Sequence, residues 1–458
     1  MARIVAIMHR VKKTREGVAK PTMVAIKEND NIIVYQLKTE TDEYDFSKAR
    51  FSVEWRKVGQ DEKIQWFDKE KNPGGIRPHQ CQWEILTKVE EMKGINPDHI
   101  RILKNKKRAE KLVALPVKFD GLKKEDKVVT IFGGSGYIFA GKLSIEGDRV
   151  GACVYCLSPQ ELAARRGGDK KEDHLNIVKI FEEMPYLFHG IRPVDRGIIR
   201  AREALSLRQA AQEQRKKRQQ QVWHSLKGRV FLDEEGNYGE LEGELPEVYK
   251  EAQEKDVILQ NLWKQEEEAE KGLKKSVQGL PVWEKIFKDI EGCGERIAAG
   301  ILTSIGDIRR FMAPNGKARL KAFCGAHVMF GGKYGDRPKE RQFPRRRKGI
   351  GEKANWSPEA RQSLYLLAEQ FNRRPDTEWG RKLFEYKMYL WQKYPQPIEA
   401  AGNSDEPLEN GENDGNEPGK KKRYTKGHLL KMALRHTITK FVEWVYKEWV
   451  KLEKENQQ

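Results

Sequence analysis

Short apolar runs with strand-like alternation dominate the N-terminal part of the chain. Residues 23–26 and 32–37 flank the turn-forming Asn29-Asp30-Asn31, and this pattern predicts a β-hairpin. The same criteria predict further strands at 51–55 and 64–67, and a helix at 80–92. A strand at 126–132, a glycine turn at 133–136, a helix at 137–145 and a strand at 151–157 follow in order. This alternation predicts an α/β domain over residues 1–190.

The pattern changes at Pro193, a residue that suits a first helical turn. Two long, highly charged helices are predicted at 193–226 and 246–278, joined by a glycine-containing hairpin at 228–245. The apolar side of the second helix is predicted to comprise Val257, Ile258, Leu262, Trp263 and Leu273. We therefore expect an antiparallel coiled coil over residues 191–280 that dimerises the protein or spaces two domains. Two ordinary surface helices are the alternative.

Three further segments complete the expected organisation. The sequence of residues 281–398, which includes several aromatic residues, predicts a compact helical domain. Residues 399–422 are acidic, rich in Gly and Asn, and end in a basic run, which predicts a disordered linker. The amphipathic segment 428–452, within a final unit at 423–458, predicts a helix that docks on the helical domain.

Charge identifies the expected class of partner. The chain carries 87 Lys+Arg against 69 Asp+Glu, a formal net charge of +18, and its pI is about 9.4. Such an excess favours polyanion binding, and nucleic acid is the commonest polyanion. A membrane partner is not expected, because no apolar stretch approaches bilayer-spanning length.

The five cysteines form an odd and sparse set, which favours a reducing compartment over a disulfide framework. No signal peptide is recognisable at the start of the sequence, so we expect a cytoplasmic location. Cys153 and Cys156 form a lone C-x-x-C without a second ligand pair, so no zinc site is expected. We expect both thiols to be small apolar side chains of a buried strand. No cofactor is predicted.

The sharpest local motif spans residues 290–308. Gly292 and Gly294 form a G-x-G turn before an alanine-rich helix, which is typical of a helix–hairpin–helix. Free amides at that helix start suit a phosphate, and Arg296 adds a positive charge. A simple helix–helix corner is the alternative.

An intensely basic stretch follows at 309–353, and aromatic residues interleave with it. Lysines and arginines bind phosphates, and exposed rings stack on unpaired bases. A solvated charge run is the alternative. The candidate RNA-binding residues are Gly292, Gly294, Arg296, Arg309, Arg310, Lys317, Arg319, Lys321, His327, Lys333, Tyr334, Arg345, Arg346, Arg347, Lys348 and Trp356.

Evidence for catalysis is weaker. Asp169, Glu172 and Asp173 could bind a divalent metal, but two-metal sites need carboxylates from several elements. His174 beside Asp173 suggests a base, although an exposed helix start explains this pair equally well. The turn at 133–136 lacks the Lys of a P-loop.

Residues 290–327 carry a family resemblance. The stretch "IEGCGERIAAGILTSIGDIRRFMAPNGKARLKAFCGAH" resembles the C-terminal domain of bridge-RNA insertion-sequence transposases. It is also similar to the RNA-binding Nop domain of box C/D ribonucleoprotein scaffolds, with 325–327 at the family's "Ga.k" turn. A coiled coil precedes the domain in both families.

The transposase resemblance implies an N-terminal RuvC-like (RNase H fold) domain with four acidic metal ligands. With residues 24–27 as the opening strand, Lys27 stands at the first ligand position and Gly133 at the second. Asp173 and Asn176 stand at the last two. The second catalytic element, a serine loop, is matched by Gly-Gly-Lys333. One surviving carboxylate cannot hold two metals, so the resemblance implies a catalytically degenerate domain.

The chain as a whole, including "MHRVKKTREGVAKPT" and "KRYTKGHLLKMAL", resembles the TIGR-associated (Tas) proteins, specifically around 290–330 and at the C-terminal helix. That family joins a Nop-like domain to guide RNAs from tandem interspaced arrays. Because no H-N-H arrangement is visible, the nuclease-free class fits best. The resemblance implies a homodimeric guide-RNA-binding protein that targets DNA without cleaving it. The alternatives are an active bridge-RNA-type recombinase or RuvC-like nuclease, and an RNA-only ribonucleoprotein scaffold.

Overall fold

The structure of the protein is a computed structural model. In it the chain divides into two units, Met1–Arg192 and Pro193–Gln458. It describes residues 3–9, 20–86, 95–103, 108–131, 136–236, 245–312, 314–327, 329–330, 341–342, 356–394 and 424–455. The N-terminal unit is an α/β structure with a mixed sheet, and the second unit is largely helical, so the predicted broad fold class is confirmed.

The N-terminal unit contains ten strands and four helices among its described residues. In chain order they are β1 (Ile4–Met8), β2 (Thr22–Glu28), β3 (Asn31–Leu37), α1 (Glu40–Ser47), β4 (Phe51–Lys57), β5 (Gln82–Leu86), β6 (Ile100–Leu103), β7 (Arg108–Asp120), β8 (Lys127–Ile131), α2 (Gly136–Val150), β9 (Cys153–Leu157), α3 (Pro159–Arg165), α4 (Asp173–Glu183) and β10 (His189–Gly190).

The main sheet has the strand order β10-β9-β8-β1-β2-β3. Strands β1, β8 and β9 are parallel, while β2 is antiparallel to both β1 and β3. Val5 and Ile7 of β1 face a core that includes Phe139 and Leu143 of α2, and Ala6 faces a second core with Ile177 of α4. Burial on both faces explains why β1 and β8 are continuous apolar runs.

A second sheet is inserted between α1 and β8. Its order is β4-β7-β5, with β6 also paired to β7. Leu112 and Leu115 form its small core with Cys81. The buried Arg3, just before β1, pairs with Asp120 at the end of β7 (3.1 Å) and with Asp126 before β8 (2.8 Å). This ion-pair network therefore ties the inserted sheet to the start of the central strands β1 and β8 of the main sheet.

Several predictions for this unit are confirmed, and others are wrong. The 23–37 hairpin is β2–β3, with Asn29 at positive φ, and the strand, helix and strand predicted within 126–157 are β8, α2 and β9. Residues 132–135, which include most of the predicted glycine turn, lie outside the described residues. The predicted helix at 80–92 is wrong: a 3-10 turn at Pro78–Gln80 leads into β5, and 87–94 lie outside the described residues. The predicted strand at 64–67 contributes only an isolated bridge from Trp66 to Ile76.

The C-terminal unit comprises eight helices and one short strand pair among its described residues. They are α5 (Pro193–Phe231), α6 (Leu245–Lys255), α7 (Val257–Gln278), α8 (Glu295–Ile305), α9 (Gly316–Phe323), β11 (Met329–Phe330), β12 (Arg341–Gln342), α10 (Pro358–Arg373), α11 (Glu378–Lys393) and α12 (Lys426–Glu455).

Helices α5 and α7 pack along each other as a long helical hairpin. The predicted second helix is divided, because Asp256 leaves the helical conformation and caps α7 by accepting a bond from the Leu259 amide (2.7 Å). The predicted apolar side of α7 also needs correction. Leu259 and Leu273 are buried, whereas Val257 is 71% and Ile258 57% exposed.

One large core unites the remaining helices of this unit. Phe287, Leu302 of α8, Leu364 of α10 and Phe441 of α12 belong to it. Helix α12 thus packs on the helices that precede the 399–422 segment, and that segment itself lies outside the described residues.

Candidate nucleic-acid interface

The turn before α8 contains the two glycines of the G-x-G motif, and they serve different purposes. Gly292 has a φ of +85°, and a Cβ there would lie 2.9 Å from the Cβ of Gln370 on α10. Gly292 therefore permits both a left-handed turn and a close helix contact. Gly294 is exposed, and a Cβ on it would meet nothing within 4 Å. Arg296 is exposed in the first turn of α8.

Arg309 is held inside the unit by two carboxylates. Its guanidinium lies 2.8 Å from Asp195 at the start of α5 and 2.9 Å from Asp307. Only 13% of its side chain is exposed. These contacts occupy the donors that a phosphate would need, so the placement favours a structural role over the predicted phosphate contact.

Arg310 also differs from the prediction. Its guanidinium lies over the rings of Phe311 (4.6 Å) and Phe323 (4.5 Å), and the side chain is half-buried. Cation–π contacts of this kind stabilise the packing of α9 on the preceding turn. Arg310 is therefore part of the local packing.

Helix α9 presents two further exposed cations of the predicted set. Gly316 starts the helix where a Cβ would lie 1.5 Å from the Phe311 carbonyl oxygen, so only glycine fits. Lys317 and Arg319, which follow it, are both exposed. Lys321 donates to Glu443 of α12 at 2.7 Å.

Glu443 is the point where cations of two helices meet. Its pKa is lowered first by the hydrogen bond from Lys321, and the charges of Lys440 and Lys317 lower it further. Lys440 itself lies 3.9 Å from the Glu443 carboxylate. One carboxylate thus faces three lysines, which leaves this surface with excess positive charge.

His327 and Trp356 are less accessible than predicted. Trp356 is 8% exposed, and its ring lies against Gly325, which has a φ of +64°. Burial and the charge of Arg361 lower the pKa of His327, and its Nδ1 has no hydrogen-bond partner among the residues described. The predicted stacking of Trp356 on a base would therefore need its ring to be uncovered.

Six predicted site residues lie outside the described residues. They are Lys333, Tyr334, Arg345, Arg346, Arg347 and Lys348. Their contribution to RNA binding stays a prediction.

Helix α12 carries cations that were not among the predicted site residues. Lys440, Lys447, Lys451 and Lys454 follow one another at intervals of seven, four and three residues, which places them on one face of the helix. All four are exposed. The helical spacing of these lysines is the sequence signal that could have identified them.

The acidic positions implied by the RuvC resemblance are occupied as follows. The first strand of the unit is β1, and Lys27 lies on the second strand, β2. The placement of Lys27 on the opening strand is therefore wrong. Its side chain pairs with Glu182 at 2.6 Å. Asp173 is buried at the start of α4 and makes two hydrogen bonds to Arg166 (2.6 and 2.9 Å). Asn176 is buried too, and Gly133 is outside the described residues.

Asp173 was also expected, with His174, at an exposed helix start, and this is wrong because both side chains are buried. Cys153 of β9 is exposed rather than buried, while Cys156 is buried as predicted. Across the described ranges, no cluster of three or more His, Cys, Asp or Glu side chains is arranged to hold a metal ion.

Within the described segments, no helix combines the length and apolarity that a membrane span requires. Comparison of the sequence with models of protein families, and with curated proteins, finds no match. The candidate site is therefore defined by its own geometry.

Proposed function

We propose that the protein binds a guide RNA through its C-terminal unit and, by base pairing of that RNA, binds target DNA without cleaving it. The observation that carries the proposal is the meeting of Lys317, Lys321 and Lys440 around the single carboxylate of Glu443. Lysines at that density gain affinity for a phosphate chain by releasing its counterions. The Nop-like resemblance of residues 290–327 supports RNA as the chain that is bound.

The main sheet supports an RNase H-like N-terminal domain. Its strands β3-β2-β1-β8-β9 form a mixed sheet in which β2 alone is antiparallel, and helices α2 and α4 cover its two faces. Asp173 is engaged by Arg166, and Asn176 stands where a further carboxylate would be needed. These residues favour a domain that has the shape of a nuclease and has lost its chemistry.

The helical hairpin supports the proposed homodimer. Arg208 pairs with Glu270 (2.9 Å) and Arg218 with Asp256 (2.6 Å), so cross-helix ion pairs fix α5 against α7. The exposed Val257 and Ile258 lie at the start of α7. Adjacent exposed apolar side chains suit a coiled-coil contact with a second copy.

Recovery of bound RNA tests the proposal. The full chain, purified at low salt and digested to release nucleic acid, should yield a discrete small RNA on sequencing. A recovery of random cellular fragments, or of no RNA, would refute guide binding. Target specificity is then tested with DNA duplexes that match or mismatch the recovered RNA. Equal affinity for both duplexes would favour an RNA-only scaffold.

An active nuclease or recombinase is the second candidate, because Asp173 keeps a carboxylate at one of the four implied ligand positions. Incubating the RNA complex with matched DNA and Mg²⁺ or Mn²⁺ distinguishes the two. We expect no strand cleavage. Cleavage that Asp173→Ala abolishes, while Glu183→Ala on the same helix does not, would establish the enzyme.

A further inference from the structure

A groove lined by aromatic and basic side chains runs between α11 and α12. Its volume is about 650 Å³. The side chains that define this aromatic groove are Trp379, Lys382, Tyr386, Tyr389, His436 and Trp444. Leu390, Leu429 and Ala433 pack beneath it and hold the two helices together. The groove is therefore a built feature of the helix pair, and its rings adjoin the lysines of α12 described above.

Flat rings are already stacked in this groove. Tyr386 and His436 lie face to face, with ring centroids 3.7 Å apart and an interplanar angle of 5°. Tyr389 follows at 5.6 Å from Tyr386, and its side chain is 49% exposed. Lys393 lies over one face of the Tyr389 ring, 5.8 Å from its centroid, so the ring offers its other face to a further planar group.

The charge of the groove complements phosphate. Lys440 and Lys447 line it against Glu385 and Glu443, and Glu443 is already bound by Lys321. Lys382 also lines the groove and donates to Glu378 at 2.5 Å. Burial and the charge of Lys440 lower the pKa of His436, which favours the uncharged ring in the stack with Tyr386. The lysines therefore provide the positive charge, and the rings provide the flat surface.

The positive charge continues beyond the groove along α12. Lys447 lies at the junction, and Lys451 and Lys454 follow it on the same face and line a second depression with Tyr446 and Val450. From Lys440 to Lys454 the row extends over about 21 Å. That length exceeds what a single phosphate group would need and suits an extended anionic chain.

Resting on the proposed function, we propose that the aromatic groove binds unpaired bases of a single-stranded RNA segment, whose phosphates follow the lysine row of α12. Double-stranded nucleic acid does not fit this chemistry, because its bases are stacked on each other and cannot reach the rings. An acidic peptide would use the lysines but would leave the exposed ring of Tyr389 without a stacking partner. Single-stranded RNA uses both features.

Binding of a fluorescent twelve-nucleotide uridine RNA to the full chain tests this proposal by anisotropy. Tyr389→Ala should weaken binding by about tenfold, in the range that loss of one stacked base produces. Tyr389→Phe keeps the ring and should stay within about twofold of the parent protein. Tyr186→Ala is the matched control, since Tyr186 is a 73% exposed tyrosine of the N-terminal unit.

A second probe separates stacking from charge. RNA with 4-thiouridine should form photo-cross-links to α11 and α12 in the parent protein, and a twelve-residue glutamate peptide should compete poorly. The proposal would be overturned if Tyr389→Ala bound the uridine RNA as tightly as the parent protein. It would also be overturned if the glutamate peptide competed for binding as strongly as unlabelled RNA. If the copurified RNA still binds in that case, the aromatic groove alone is refuted. If no RNA binds the parent protein at all, the proposed function fails with it.

Discussion

The two units differ in how their charged side chains are used. In the N-terminal unit, Arg3 is buried between Asp120 and Asp126, and Asp173 is buried against Arg166. In the C-terminal unit, exposed lysines extend along α12 and meet those of α9 around Glu443. Charges that are paired inside a fold stabilise one conformation, whereas charges left in solvent attract a partner.

The same difference exists within the basic stretch itself. Arg309 and Lys317 are eight positions apart and look alike in the sequence. Asp195 and Asp307 hold the arginine inside the unit, while the lysine faces solvent. Net charge alone therefore overstates how many cations are available to bind a phosphate.

The largest effect is expected from removing the central cation of the N-terminal network. Arg3→Ala removes the buried cation that Asp120 and Asp126 share and leaves Asp120 with the more exposed Lys123. We expect a loss of about 3–5 kcal/mol in the free energy of unfolding of that unit. Hydrogen exchange of β1 and β8 amides in the full chain measures it. Lys118→Ala, at the exposed pair with Glu54, is the control and should change exchange little. Equal protection in both variants would contradict the role of Arg3.

Gly292→Ala should have the next largest effect. The φ of +85° and the 2.9 Å approach to Gln370 should destabilise the C-terminal unit by about 1–3 kcal/mol. Gly294→Ala is the matched control two residues away, with a φ of −68° and open space around it, and should cost about 1 kcal/mol or less. Thermal unfolding of both variants measures the difference, and the opposite order would disprove the strained role of Gly292.

Removing the two exposed cations of α9 should weaken RNA binding without unfolding the unit. Affinity for RNA falls as salt rises, and Lys317→Ala with Arg319→Ala should make that fall less steep. The slope of log affinity against log salt should decrease in magnitude by about 0.7–0.9 for each phosphate that is no longer neutralised. Titrations at several salt concentrations measure the slope. Arg309→Ala should behave differently, because it removes a largely buried guanidinium that contacts Asp195 and Asp307, and it should lower the melting temperature instead. If Arg309→Ala changes the salt dependence of RNA binding and the α9 variant does not, the assignment of a structural role to Arg309 and a binding role to α9 is wrong.

Acid should also destabilise the N-terminal unit. Burial alone would raise the pKa of Glu146, but hydrogen bonds from Lys142 and Lys48 outweigh it and lower the pKa to about 2. A carboxylate whose pKa is lower in the folded state stabilises fully above its unfolded value, near 4.5, and progressively less as pH falls toward 2. Unfolding of the N-terminal unit between pH 5 and about 2.5 should show this loss. Glu146→Gln should flatten that dependence, and an unchanged profile would show that Glu146 does not cause it.

The dimer prediction concerns the helical hairpin. Val257→Glu with Ile258→Glu should convert the proposed homodimer to a monomer, because two charges would enter an apolar contact. Light scattering after size-exclusion chromatography measures the mass. Leu207→Glu, at another exposed apolar position of the hairpin, is the control variant and should leave the mass unchanged. A parent protein that is already monomeric would refute the dimer.

Periodic elements were predictable from the sequence, and elements set by distant partners were not. The hairpin β2–β3 has its turn residues next to its apolar runs, and Pro193 starts α5 as expected. Strand β1 was not predicted, because it has only five residues and a basic segment follows it. Strand β5 pairs with β7, whose partner residues lie more than twenty positions away, so local pattern alone favoured a helix.

The candidate site was less predictable for the same reason. Arg309 finds Asp195 across 114 positions, and the burial of Trp356 depends on its packing against Gly325. Neither contact leaves a local signal in the sequence. The lysine row of α12 was predictable in principle, because its spacing is helical and the helix itself was expected.

Mapping of RNA cross-links on the full chain tests the central claim most directly. The protein purified with its RNA is irradiated with ultraviolet light, digested, and analysed by mass spectrometry for peptides that carry nucleotides. We predict cross-linked peptides from residues 193–458, with α9 and α12 among them. Cross-links confined to residues 1–192, or none in the presence of bound RNA, would contradict RNA binding by the C-terminal unit.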